Sequence, residues 1–212
     1  MSAYKLFYSP GACSMAVHIC LLECGQNPEI VNADLHNAAG RNADFVKSNP
    51  RGQVPVVVED GQVIREGAAQ MIYLLDKFSS PLMPKSGIER ARALEWLCWG
   101  NATLHPAYSK AFGAKKISDD ANVQEMILAS AFKGIQKLWD EAETVLSKQK
   151  YLAGDQPTMG DILMTVIANW NSYFPGKINL GPNVKRVLKE MVARPAYQKA
   201  LAAEQVEYKA AA

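Results

Sequence analysis

The chain has 212 residues, 49% of them hydrophobic, enough to bury a sizeable core in one large domain or two modest ones. Its formal net charge of +2 gives no electrostatic reason to expect nucleic acid or an anionic membrane as a partner. No apolar run approaches the roughly 20 residues that span a bilayer, and the start, Met1-Ser2-Ala3-Tyr4-Lys5, lacks the apolar centre of a signal peptide.

Alternation from Ala3 to Tyr8 predicts a strand with Leu6 and Tyr8 on one face and Lys5 and Phe7 on the other. Pro10 and Gly11 break it, Met15 to Cys24 is a helical pattern, and Ser14 is placed to cap that helix. Cys13 therefore falls at a turn into a helix N-terminus, where free N–H groups and the helix dipole pull a thiol toward thiolate. The competing reading of Cys13 is a small buried hydrophobe. Cys13, Cys20 and Cys24 lack neighbouring His or acidic residues in a ligand pattern, so they predict no metal site. Together with Cys98 they read as reduced thiols of a cytoplasmic chain.

Glu29 to Ala33 reads as a second strand, Asn37 to Ser48 as a weak helix containing Gly40, and Asn49 to Pro55 as a turn-rich loop. Val56-Val57-Val58 is a buried strand, Glu59-Asp60-Gly61-Gln62 a hairpin signal, Val63-Ile64 the return strand, and Glu66 to Phe78 a helix. This β-α-β-α-β-β-α order is thioredoxin-like. Ser79 to Gly87 is a Pro/Ser-rich break. It divides the chain into an α/β domain over 1–80, a linker over 81–86 and an all-α domain over 87–212. Helical patterns follow over 88–112 (interrupted by Gly100 and Pro106), 121–147, 158–173, 182–192 and 195–206. In the second of these, Met126, Ala129, Ile135, Leu138, Ala142 and Val145 mark the expected inner stripe. Thr158 and Asp161 have capping-box spacing and a structural role. The end, from Tyr208, is expected to fray.

Three pieces at these spacings, Ser9-Pro10-Gly11-Ala12-Cys13-Ser14, Asn49-Pro50-Arg51-Gly52-Gln53-Val54-Pro55 and Glu66-Gly67-Ala68-Ala69, resemble the glutathione-binding domain of a bacterial beta-class glutathione transferase. Tyr151-Leu-Ala-Gly-Asp155 and Thr158-Met-Gly-Asp161 resemble the segment before that family's buried central helix, so the resemblance covers nearly the whole chain. It implies glutathione as co-substrate, no metal, a hydrophobic electrophile as second substrate and a two-fold homodimer.

The resemblance places the glutathione thiol beside Cys13 and the peptide backbone of glutathione along Val54-Pro55, with a cis proline. The base rate for an X-Pro bond alone says trans, about 5–6% being cis, and Pro55 also reads as a strand-starting proline. Gln53 reaches the γ-glutamyl end or is a solvated loop amide. Glu66 and Gly67 hold that end at a helix start, or Glu66 only complements the helix dipole. His105 matches the family's histidine facing the cleft, which donates a hydrogen bond to a thiolate or polarises a substrate; otherwise it is a helix histidine. Tyr108 and Phe112, at +3 and +7 from it, are candidates for the hydrophobic site; Trp170 is a further candidate, though more often such a residue is core, and Tyr8 reads as packing. Two departures stand out: Pro106 replaces a lysine common after the histidine, and Cys98 takes the place of an asparagine one turn before it. Two other activities remain open. One is a glutathione-dependent thiol/disulfide reductase that uses Cys13 alone, since no Cys-x-x-Cys is present. The other is a non-catalytic binding protein, as some relatives of the fold are.

Overall fold

The computed structural model describes residues 4–35, 37 and 41–211. Strand β1 (Tyr4–Tyr8) lies inside a four-stranded sheet of order β2-β1-β3-β4. β2 (Glu29–Asn32) runs parallel to it, with Leu6 opposite Ile30. β3 (Val56–Glu59) runs antiparallel, with Leu6 opposite Val57. β4 (Gln62–Ile64) closes the edge through a two-residue turn at Asp60 and Gly61, both at positive φ, the conformation for which an Asp-Gly pair is suited.

Both faces of β1 are covered, as its alternation predicts. Tyr4, Leu6 and Tyr8 enter the main core beneath α1 (Ser14–Glu23) and α3 (Gly67–Lys77). Phe7 turns the other way, onto Phe45 of α2 (Ala43–Ser48), at 5.8 Å between ring centroids. α2 starts later than the pattern suggests because Asn42 caps it, its side chain accepting the Phe45 N–H at 3.1 Å. Gly40, expected within this helix, lies outside the described residues.

The helical half packs around α7 (Met159–Ala168), which is buried along its whole length. It packs against α4 (Gly87–Cys98) and α8 (Pro182–Val192) and, from the other half, α1, while α5 (His105–Ile117), α6 (Ala121–Leu146) and α9 (Pro195–Glu204) complete the half. Gly160 lets α7 approach α4 closely, since a Cβ there would lie 3.1 Å from the Trp96 carbonyl carbon. Asp161 is fully buried and accepts the Thr158 N–H at 2.8 Å and the Leu152 N–H at 2.9 Å.

Three expectations change. The expected break near Gly100 and Pro106 is a π-helical segment, Trp99–Leu104. Pro106 has no N–H to return to the preceding turn, and the bonding widens so that the His105 N–H reaches Gly100 O. On α6 the inner stripe is Ala131, Ile135, Trp139, Ala142 and Leu146. Met126 and Ala129 are exposed because the first turns of that helix carry little packing, while Leu138 and Val145 flank the stripe. The end of the chain is tied down: Tyr208 Oη donates to Thr165 O at 3.0 Å and the Lys209 N–H to Asn169 Oδ1 at 2.7 Å. No helix is long and apolar enough to cross a membrane among the described residues.

Candidate active site

A cavity of about 720 Å³ opens between the loops at the ends of β1 and β3 and the junction of α4 with α5. Cys13, Gln53, Val54, Pro55, Glu66, Gly67, His105 and Phe112 all line it. Residues spread over a hundred positions are thus brought to one wall or the facing one.

The loop after β1 is held from within. Ser14 does not cap α1; its hydroxyl accepts the Ser9 N–H at 3.1 Å and donates to Ser9 O at 3.2 Å. The residue at the helix cap is Cys13 itself. Its Sγ donates to Val54 O at 3.5 Å. Burial pushes the Cys13 thiol up to about 11, and the Ser14 N–H offsets only part of that rise. The thiolate expected from the helix terminus is therefore corrected: desolvation outweighs the dipole, and Cys13 is a neutral donor facing the cavity. Cys20 and Cys24 turn instead toward α3, near Met71 O and Leu74 O.

On the neighbouring loop the Val54–Pro55 bond is cis. The Gln70 amide fixes this loop, donating to Pro55 O at 3.1 Å and to Ile64 O at 2.8 Å. Asn49 Nδ2 donates to Gln53 O at 2.7 Å. Val54 precedes β3, and among the described residues its N–H has no partner. Gly67 packs under the proline; a Cβ there would lie 3.3 Å from Pro55 Cγ. Glu66 adopts φ +68, unusual for a residue with a side chain. Its carboxylate accepts from Arg51 at 2.8 Å.

The facing wall is aromatic. His105, at the start of α5, meets Trp170 edge to face at 5.1 Å, and burial lowers its pKa, leaving a neutral ring. Phe112 stands 5.9 Å from Trp170 and 5.7 Å from Tyr173 and keeps 46% of its surface exposed. Tyr108 is the correction here. It is fully buried behind Trp170, receives the Trp139 N–H at 2.8 Å and donates to Asn171, so it does not line the cavity. A residue at +3 from His105 points into the bundle, whereas +7 returns to the cleft.

Trp170, the further candidate for the hydrophobic site, lines the cavity, and Tyr173, Asn49, Arg51 and Asn101 line it without having been singled out for it. Asn101 bears on the Cys98 departure without deciding it. Cys98 is exposed and off the cavity, while Asn101, four residues before His105, lines it from the π-helical segment. That spacing was the available signal.

Family models for the glutathione S-transferase N-terminal and C-terminal domains match residues 2–76 and 96–195. Glutathione S-transferase GstA of Escherichia coli O157:H7 is 31% identical over 206 residues, covering 94% of this chain and 98% of its own. The chain belongs to the glutathione S-transferase family. Among solved structures, a sphingomonad glutathione S-transferase complexed with glutathione matches with a TM-score of 0.82 and 30% identity, over 96% of this chain and 100% of that one. A bacterial beta-class glutathione S-transferase from Sphingomonas chungbukensis matches with a TM-score of 0.80 and 27% identity, over 96% and 100%. The fold here is accordingly the transferase architecture, a thioredoxin-like α/β half followed by an all-α half.

Proposed function

We propose that this glutathione transferase binds glutathione across the wall formed by Cys13, Val54-Pro55 and Glu66-Gly67, and conjugates it to a hydrophobic electrophile held by Phe112 and Trp170. The observation that carries this reading is the division of one cavity: hydrogen-bonding groups and a helix N-terminus on one wall, aromatic rings on the other. The Val54 N–H and C=O take the cysteinyl backbone as an added strand would. The N–H groups at the start of α3 receive the γ-glutamyl carboxylate, and Glu66 receives its amino group. Near the sulfur, the S–H of the neutral Cys13, released from Val54 O as that carbonyl takes the ligand's N–H, and a neutral His105 N–H are donors that favour a glutathione thiolate over its thiol.

A protonated Cys13 counts against the reductase reading, which needs that residue as nucleophile. A two-fold homodimer is the assembly proposed, supported by likeness to the family over nearly the whole chain. A cytoplasmic location is proposed on the four free cysteines.

Calorimetric titration of the reduced protein with glutathione and with S-hexylglutathione tests the division of the cavity. The alkyl chain should tighten binding, because burying methylene groups against the aromatic wall is favourable. Equal affinities would remove the assigned hydrophobic site, and no binding of either by two methods would remove the whole reading.

A further inference from the structure

Arg51 and Glu66 form an ion pair at one end of the cavity wall, Nη2 to Oε1 at 2.8 Å, with both side chains more than half exposed. An exposed pair of this kind contributes little to folding and changes partners readily. Among the described residues, Glu66 is the one side chain that Arg51 bonds. The neighbouring cations are engaged elsewhere: Arg65 Nε donates to Ser48 O and Arg41 Nη2 to Leu35 O, and neither lines the cavity. The first turn of α3, Gly67-Ala68-Ala69, brings no polar side chain to this end. Glu66 is held in position by its left-handed backbone, a kind of outlier that gathers at ligand clamps.

A cation and an anion set side by side match a group that carries an ammonium and a carboxylate on one carbon. The γ-glutamyl end of glutathione is such a group. We propose that Arg51 is a specificity-determining residue that binds the α-carboxylate of the γ-glutamyl moiety. Glutathione then opens the Arg51–Glu66 pair and rejoins it through itself, with ammonium on Glu66 and carboxylate on Arg51. Guanidinium suits this role because it binds a carboxylate through two parallel N–H groups. The inference deepens the reading above and rests on its placement of the γ-glutamyl end.

The test is a binding matrix on the full reduced protein. The ligands are glutathione, an analogue with 4-aminobutyryl in place of γ-glutamyl, which lacks only the α-carboxylate, and one with glutaryl, which lacks only the α-amino group. The proteins are wild type, Arg51→Gln and Arg51→Lys. Wild type should bind the 4-aminobutyryl analogue well over tenfold more weakly than glutathione, because the lost carboxylate met both Arg51 and the N–H groups of α3. Arg51→Gln should weaken glutathione and the glutaryl analogue by about tenfold, a smaller factor, and leave the 4-aminobutyryl analogue unchanged, with Arg51→Lys between. In turnover, Arg51→Gln should raise KM for glutathione at constant kcat. Equal weakening of all three ligands, or none, overturns the role of Arg51. If wild type discriminates both analogues while Arg51→Gln binds as wild type does, only this inference falls. If wild type does not distinguish the analogues from glutathione, the placement of the γ-glutamyl end falls with it.

Discussion

The backbone N–H of Gly11 donates to Glu204 Oε2 at 3.1 Å, joining residues 193 positions apart. The other oxygen of Glu204 meets His18 Nδ1 at 2.9 Å, and both side chains are buried. The Gly11 carbonyl is held as well, by Trp170 Nε1 at 2.8 Å. The loop that delivers Cys13 to the cavity is therefore clamped on both sides of one residue by the helical half. The proposed glutathione wall and the proposed electrophile wall are fixed to each other through Gly11.

Replacing Glu204 tests that clamp. Glu204→Ala leaves the Gly11 N–H and His18 without their partner in a buried setting, a loss of about 2–4 kcal/mol in unfolding free energy. Glu204→Gln keeps an acceptor and should cost about half as much. Urea midpoints read the stability, and glutathione affinity should fall in parallel because the loop is released. Affinity unchanged in a destabilised Glu204→Ala would show that the clamp serves folding alone.

Cys13 should be slow to alkylate at neutral pH. Its pKa is pushed up to about 11 from an ordinary 9.0, chiefly by burial. For an acid whose folded pKa is raised, the neutral form is the stabilised one. That contribution is complete below pH 9.0 and is lost as the pH rises through about 11. Iodoacetamide modification, followed by mass spectrometry, should therefore accelerate steadily above pH 9.0 with no plateau near neutrality.

Glu59 makes the opposite prediction at the acid end. Burial alone would raise its pKa, but hydrogen bonds from Lys77, Tyr4 and Tyr73 outweigh this and hold it at about 2. The ionised form is the stabilised one. Its contribution is present above the ordinary pKa of 4.5 and is lost as the pH falls through about 2. Glu59→Gln should be less stable than wild type at pH 7, and the difference should shrink below pH 4.5 in thermal melts taken across pH.

Replacing Phe112 distinguishes the two proposed substrate sites. Phe112→Ala removes an edge-to-face partner of Trp170 and half-exposed apolar surface on the aromatic wall. KM for an apolar electrophile should rise about three- to tenfold while KM for glutathione stays unchanged. Steady-state kinetics with each substrate varied in turn reads both values.

Local chemistry made much of this legible. The strand, the Pro-Gly break and the following helix place Cys13, and the Asp-Gly turn sets the β3–β4 hairpin. The three loop pieces that resemble the family meet around one cavity. What was not legible depends on packing. The charge state of Cys13 is decided by how much water the surrounding loops exclude, a quantity no helix-terminus argument contains. Tyr108 and Phe112 are one turn apart on α5, yet Tyr108 is buried between Trp170, Trp139 and Asn171 while Phe112 is exposed at the cavity. Asn101 reaches the cavity because that segment changes the register of the helix. The Glu204–Gly11 contact has no local signal at all. The tail beyond it is held by one hydrogen bond to Thr165 and two to Asn169, partners about forty residues away.

The most direct test of the central claim is the rate of conjugation of glutathione to an apolar aryl halide by wild type and Cys13→Ala, each at saturating glutathione. Glutathione supplies the nucleophile in a transferase, and in the proposed reading Cys13 only donates a hydrogen bond to its sulfur. Conjugation should therefore persist in Cys13→Ala with kcat reduced by no more than about tenfold, the size of one such bond. Complete loss of product in a folded variant that still binds glutathione would contradict this and make Cys13 the reacting group.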